Sequence, residues 1–213
     1  MNLVMVELCY GSIAMKKLNV LKRHLRPGRV YRRDDLIKWS TSVDRHLQEL
    51  VETGTLKKLA QGLYHYPRKT VFGDAPPEED ELLKSFLKDD RFLVTTPNAY
   101  NKLGVGTTQL YNKRVVYNHK RHGEFQLGGR KFDFVQKYNF PKKVSPEFLV
   151  VDLVNSLDKL AEDKNAVLES VFEKLKSMDV SKLKKSVTEY GNTRTQKILL
   201  PKLQNLESDV YAY

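Results

Sequence analysis

The chain has 213 residues, with 37 Lys and Arg against 26 Asp and Glu, for a formal charge of +11. That length holds one large domain or a small module beside a larger one, and the 40% hydrophobic content supports a packed core. The single cysteine, Cys9, excludes an intrachain disulfide and a cysteine-rich zinc site. With so little cysteine a reducing cytoplasm is the expected home, and no apolar run is long enough to span a membrane.

Residues 1–15 lack the basic start of a signal peptide and contain Glu7; they are expected to be a poorly structured leader or an upstream extension. Met15-Lys-Lys is the better beginning for a cytosolic chain. The first helix is predicted over Lys16 to Leu25, with Leu18, Leu21 and Leu25 at near-helical spacing and Arg26-Pro27-Gly28 ending it. Leu36 and Ile37 give a second, short helix its apolar side, and Trp39 is expected to pack that helix.

Val43, Leu47, Leu50 and Val51 recur at i, i+4, i+7 and i+8, the period of one helical face. Ser40 or Thr41 supplies a cap at the start, and Gly54 supplies the stop. Away from the apolar stripe lie Thr41 and Arg45, with Ser42 and Gln48 beside them, while Glu49 and Glu52 fall toward the far end. Hydroxyls and a guanidinium at the leading end, with acids at the trailing end, suit a helix entering a DNA major groove. Leu56 to Ala60, Gln61-Gly62 and Leu63 to Tyr66 then predict a hairpin. Lys57 and Lys58 flank its turn, as in a wing lying along phosphates. Residues 16–70 are therefore expected to form a winged helix-turn-helix.

Residues 71–77 have linker composition, with Gly73 and two prolines. A second domain over 78–213 is predicted, mixed α/β over 78–140 and helical over 145–213. It begins with a helix at Glu78 to Leu87, acidic in its first turn. Phe92 to Thr95 predicts a buried strand, Pro97 to Leu103 a short helix, and Arg114 to Asn118 a strand. Glu124 to Leu127 and Arg130 to Gln136 predict a hairpin about Gly128-Gly129. Pro146 opens a helix that is apolar on more than one face. Ala166 to Leu175 forms a cleaner stripe, Ser181 caps a third helix closed by Gly191, and Thr193 to Leu200 forms a short last helix broken at Pro201.

Charge follows this division. Residues 16–70 carry 14 Lys and Arg against 5 acids, residues 71–96 carry 3 against 7, and residues 97–143 carry 10 against 2. Two basic segments separated by an acidic one point to a polyanionic partner, because each neutralised phosphate releases counterions. Asn118 to Gly123 is the densest polar cluster. With Lys113 and Arg114, its His119, Lys120, Arg121 and His122 form a candidate second basic surface for nucleic acid or an acidic protein. Two alternatives stand beside that reading: a solvated loop, and a nuclease-like site using His119 and His122. For the latter, Glu124 and Asp133 are the only nearby acids. Gly104-Val-Gly-Thr-Thr lacks the Gly-Lys-Ser/Thr ending of a phosphate loop and is expected to be a turn. Thr107 to Asn112 and Tyr117 suit an interface or a sheet edge equally.

Taken together, GRVYRRDDLIKWSTSVDRHLQELVETGTLKKLAQGLYHYP, PNAYNKLGVGTTQLYNKRVVYNHKRHGEF, FDFVQKYNFP and EFLVVDLVNSLDKLAED resemble the AbiEi-type antitoxins of bacterial abortive-infection toxin–antitoxin pairs. The likeness spans most of residues 16–200. It implies an α+β protein whose N-terminal winged module binds inverted repeats in double-stranded operator DNA and represses its own operon. The C-terminal domain would counter a nucleotidyltransferase-like toxin, with or without direct contact. The base-reading positions it implies are Ser40, Thr41, Ser42, Arg45 and Gln48, and the phosphate contacts are Arg32, Arg33, Lys57, Lys58 and Gln61. It implies no enzyme activity, metal, cofactor or membrane partner. The alternatives are a nucleic-acid-processing enzyme at His119 and His122, and a regulator or RNA-binding adaptor without a toxin.

Overall fold

The computed structural model describes residues 18–105, 110 and 113–207, and the helical backbone of 208–210. Helices and strands are mixed along the chain, an α+β architecture. The chain divides into two compact units. One holds the residues up to Asp90 together with Gln126–Arg130; the other holds Arg91–Phe125 and the chain from Lys131 onward. The expected leader, with Cys9 and Met15, lies outside the described residues. So do Gly106 to Gln109, Tyr111 and Asn112, and with them the second glycine of the expected turn and most of the Thr107 to Asn112 stretch.

The first unit runs helix α1 (18–24), strand β1 (Val30–Arg32), helix α2 (Arg33–Leu36), a 3-10 turn (Ile37–Trp39), helix α3 (Val43–Glu52), and strands β2 (Lys57–Ala60) and β3 (Leu63–His65). The apolar spacing of α3 does what it predicts. Val43, Leu47 and Leu50 are buried with Leu18, Leu21, Leu25, Leu36 and Leu56, each fully buried leucine contributing about 1.5–3 kcal/mol. Gly54, at φ +68°, ends the helix, and the Leu56 N–H donates to the Leu50 carbonyl across the turn. Ile37 departs from expectation. The chain tightens from α to 3-10 geometry after Leu36, which swings Ile37 off the buried side, and it is 46% exposed.

The three strands form an antiparallel sheet in the order β1-β3-β2. Gln61-Gly62 makes the tight turn between β2 and β3. The register shifts between Lys58 and Ala60, and the Leu59 carbonyl in that step accepts the Gly128 N–H at 3.0 Å. The segment expected as a linker instead forms a small ribbon, β4 (Lys69–Thr70) paired with β5 (Gly73–Asp74), with Val71 and Phe72 exposed at its turn. Helix α4 (Glu79–Leu87) also belongs to this unit, so the division falls after Asp90 and not at 78. The reason is a contact between residues far apart in sequence. Glu81 accepts the Val30 N–H at 3.0 Å and pairs with Arg29 at 3.0 Å, tying α4 to β1.

The second sheet holds strands β6 (Phe92–Thr95), β7 (Arg114–Asn118), β8 (Gly123–Leu127) and β9 (Arg130–Gln136), in the order β6-β7-β9-β8, all in the second unit except the Gln126–Arg130 end of the β8–β9 hairpin. β6 and β7 are antiparallel, whereas β7 and β9 run parallel. Pro97–Leu103 is a 3-10 helix, capped by the Thr96 side chain. Helices α5 (Pro146–Ser156), α6 (Lys164–Leu175), α7 (Val180–Tyr190) and α8 (Thr193–Val210) follow. All seven residues from Phe148 to Val154 are buried, which explains why α5 has no polar face in the sequence. Two helix ends differ from expectation. Asp179, not Ser181, caps α7, its Oδ1 accepting the Lys182 N–H at 3.0 Å. Helix α8 continues through Pro201, because Leu199 and Leu203 on either side are fully buried while Pro201 itself faces solvent. Gly191 ends α7 at a close approach; a Cβ there would lie 2.5 Å from the Val187 carbonyl oxygen.

Candidate nucleic-acid interface

The residues that the sequence singles out for DNA lie on β1 and α2 (Arg32, Arg33), on the turn into α3 and α3 itself (Ser40, Thr41, Ser42, Arg45, Gln48), and on the β2–β3 hairpin (Lys57, Lys58, Gln61). Burying Val43, His46, Leu47 and Leu50 leaves Thr41, Asp44, Arg45, Gln48, Glu49 and Glu52 exposed. Thr41 and Ser42 form the turn into the helix, with Ser42 at the cap position, half-buried and without a side-chain capping bond. Gln48 donates to Glu52 at 2.9 Å, one turn further on.

Ser40 is corrected. It is 5% exposed, and its hydroxyl lies 2.8 Å from His46 Nδ1 while accepting the Ser42 N–H at 3.2 Å. A hydroxyl so engaged holds the α2–α3 turn together and does not reach a base edge. His46 was missed by the periodicity argument, since histidine is not counted among the apolar residues that mark a buried face. It is 1% exposed.

The cations divide into engaged and free-standing groups. Arg33 grips Asp44 with both prongs of its guanidinium, Nε to Oδ1 and Nη2 to Oδ2, each at 2.6 Å. That contact holds the Asp44 carboxyl below the usual carboxylate range. Arg32 holds Asp35 in the same way, at 3.0 and 2.7 Å, and lowers its pKa likewise. Lys57 pairs with Asp74 at 3.0 Å, and Lys69 pairs with the same carboxylate at 2.6 Å. Arg45 and Lys58 are exposed and form no ion pair among the described residues, and Gln61 is exposed at the hairpin turn. Trp39 is half-buried, stacked on His24 with ring centroids 4.4 Å apart and with Lys38 over its face at 4.3 Å.

In the second unit the expected basic surface is less uniform than its charge count. Lys113 is bound to Asp133 at 2.9 Å, with Glu124 at 3.6 Å. Asn118 is buried, and its Oδ1 accepts the N–H groups of Lys120 and Arg121 at 2.8 and 2.6 Å, so the loop is shaped by an asparagine turn. His119 Nε2 lies 3.1 Å from the Tyr138 carbonyl, and its ring rests on Phe140 at 4.9 Å. Arg114, Lys120, Arg121 and His122 are exposed. Among the described residues no group of three or more His, Cys, Asp and Glu is arranged to hold a metal ion.

One polar cluster escaped sequence reasoning. Asp152 is fully buried in α5 and accepts hydrogen bonds from the Tyr100 hydroxyl at 2.8 Å, the Tyr117 hydroxyl at 2.8 Å and Lys137 Nζ at 2.9 Å. Desolvation, reinforced by the neighbouring Asp152 carboxylate, pushes both tyrosines far above the usual phenol range. A lone acid inside the apolar run of α5 was the available signal.

Among the described residues no helix is long and apolar enough to cross a membrane. The chain belongs to a family of unknown function, DUF6088, whose sequence profile matches residues 16–204. No curated protein matches it. Among solved structures it is similar to the crystal structure of the Rv2827c protein from Mycobacterium tuberculosis, with 17% identity, a TM-score of 0.52, and coverage of 91% of this chain and 76% of that one. At that identity the likeness speaks for a shared mixed α and β fold.

Proposed function

We propose that this DUF6088 chain is a DNA-binding transcriptional repressor, its first unit a winged helix-turn-helix with α3 as the groove helix and the β2–β3 hairpin as the wing. One observation carries the reading. The order α1-β1-α2-α3-β2-β3, closed into a β1-β3-β2 sheet, leaves Thr41, Arg45 and Gln48 exposed on the same helix whose other side is core. A helix reads base edges from its N-terminal residues, and a hairpin beside it meets phosphates. Lys58 and Gln61 on the exposed ribbon fit that second task.

The partner that follows is double-stranded DNA with inverted repeats, upstream of the chain's own gene. A mobility-shift titration with that upstream duplex tests it. Retardation that survives excess unrelated DNA supports the reading; binding equal for both DNAs contradicts it. The antitoxin role rests on the resemblance to AbiEi-type sequences. Growth rescue on co-expression with an adjacent nucleotidyltransferase-like gene supports that role, and an absence of rescue argues for a regulator without a toxin. A nucleic-acid-processing site at His119 and His122 is disfavoured. The His119 imidazole is committed to the Tyr138 carbonyl and Phe140, with no acidic partner joining it in a metal-holding group among the described residues.

A further inference from the structure

The second unit contains a cavity of about 570 Å³, bounded by strands β7 and β9, the segment after β9, and the ends of α5 and α7. That size falls inside the range of roughly 300–1,000 Å³ seen for small-molecule sites. Its construction is specific. Asp152 anchors Tyr100, Tyr117 and Lys137, so the floor is fixed by a buried charge that no part of the DNA-binding reading uses. Lys137 Nζ sits 3.8 Å over the Tyr117 ring and spends one donor on Asp152, which leaves its remaining N–H groups for the cavity it lines.

The opposite wall is held as firmly. Asn155 donates to the Tyr190 carbonyl at 3.0 Å and accepts the Asn192 N–H at 2.9 Å, which locks the end of α5 to the chain after α7. Asn192 in turn accepts the Thr195 N–H through its side-chain oxygen at 2.8 Å, so its amide donors remain for a ligand. Lys159 lines the cavity and has no ion-pair partner among the described residues. Tyr138, also on the lining, is 92% exposed, so its ring is open to a ligand.

We propose that this cavity binds a nucleotide. The exposed Tyr138 ring offers a stacking surface for a base, the Asn192 amide offers donors to a base edge, and Lys159 offers a cation to a phosphate, beside the remaining N–H groups of Lys137. An inorganic anion would leave the rings unused, and a purely apolar ligand would bury lysines and amides without partners. The nucleotide is either free in solution or the terminal residue of a single strand; the chemistry of recognition is the same.

Calorimetric titration of the full chain with AMP, GMP, CMP and UMP, with a single-stranded trinucleotide, and with adenosine and inorganic phosphate separately, tests this. At least one mononucleotide or the trinucleotide binds, and the separated halves bind at least about tenfold more weakly. Tighter binding of the trinucleotide identifies a strand end as the source; tighter binding of a mononucleotide identifies a free one. Lys159→Ala and Tyr138→Ala, both at exposed side chains, weaken binding by about fivefold or more with an unchanged melting temperature. The proposal is overturned if no nucleotide binds at millimolar concentration. It is equally overturned if binding occurs and neither variant alters it.

Discussion

Arg33 and Asp44 face each other as a guanidinium fork and a carboxylate, with both N···O distances at 2.6 Å. The pair joins α2 to the first turn of α3. An arginine expected to touch phosphate is thus already held by an acid at the head of α3. Phosphate contact by Arg33 requires exchanging one anion for another. Asp44→Asn removes the competitor and leaves Arg33 a full charge. The variant binds non-specific duplex more tightly, and the slope of log K against log salt steepens by about one. The protein itself is slightly less stable, because an acid leaves the positive end of α3. Binding isotherms at several salt concentrations check both the affinity and the slope.

Arg45 and Lys58 separate specificity from affinity. Arg45 stands exposed on the solvent-facing side of α3, and Lys58 stands exposed on β2. Arg45→Ala costs about 1–3 kcal/mol on the operator and much less on unrelated DNA. Lys58→Ala weakens every duplex by a similar factor and flattens the salt dependence by about one charge. Parallel titrations of both variants on operator and scrambled duplexes measure the contrast.

Ser40 has a structural consequence of its own. Its hydroxyl faces His46 Nδ1 at 2.8 Å inside the first unit, and both residues are buried. Ser40→Ala leaves a buried imidazole nitrogen without that partner and costs about 1–3 kcal/mol of stability. Operator discrimination by the folded fraction is unchanged. Urea unfolding and a competition binding assay, done on the same preparation, distinguish a stabilising hydroxyl from a base-reading one.

Acid sensitivity is expected from His65. Burial pushes its imidazole below the ordinary value of 6.5; Lys57 acts in the same direction, and Glu81 and Asp74 oppose it. The unfolded chain therefore takes up a proton near pH 6.5, while the folded chain takes it up only at lower pH. The unfolded state binds more protons between those two values, so stability falls as pH drops below 6.5 and the loss ends at the folded pKa. Thermal midpoints measured between about pH 7.5 and 5 decline more steeply for the native chain than for His65→Gln. Equal slopes would remove His65 as the cause.

Local periodicity made most of the elements legible. The strands at Phe92–Thr95 and Arg114–Asn118, the Gly128-Gly129 hairpin and the apolar stripe of α3 all lie where alternation, turn residues or helical spacing put them. What stayed hidden depends on partners distant in sequence. Nothing near Ser40 announces that its hydroxyl belongs to His46, and nothing near Arg33 announces Asp44. Pro201 stays inside α8 because buried leucines on both sides outweigh one missing backbone bond. The division after Asp90 follows from Glu81 bonding to β1, a contact 51 residues apart in sequence. Asp152 was visible as a lone acid in an apolar helix, but its ligands Tyr100, Tyr117 and Lys137 come from three other segments.

Chemical-shift mapping of the isotopically labelled chain against its upstream duplex tests the central claim most directly. Perturbations concentrated at Thr41 to Gln48 and at Lys57 to Gly62, and lost with a scrambled duplex, are the expected result. Binding of the duplex with those residues unmoved would contradict α3 as the groove helix.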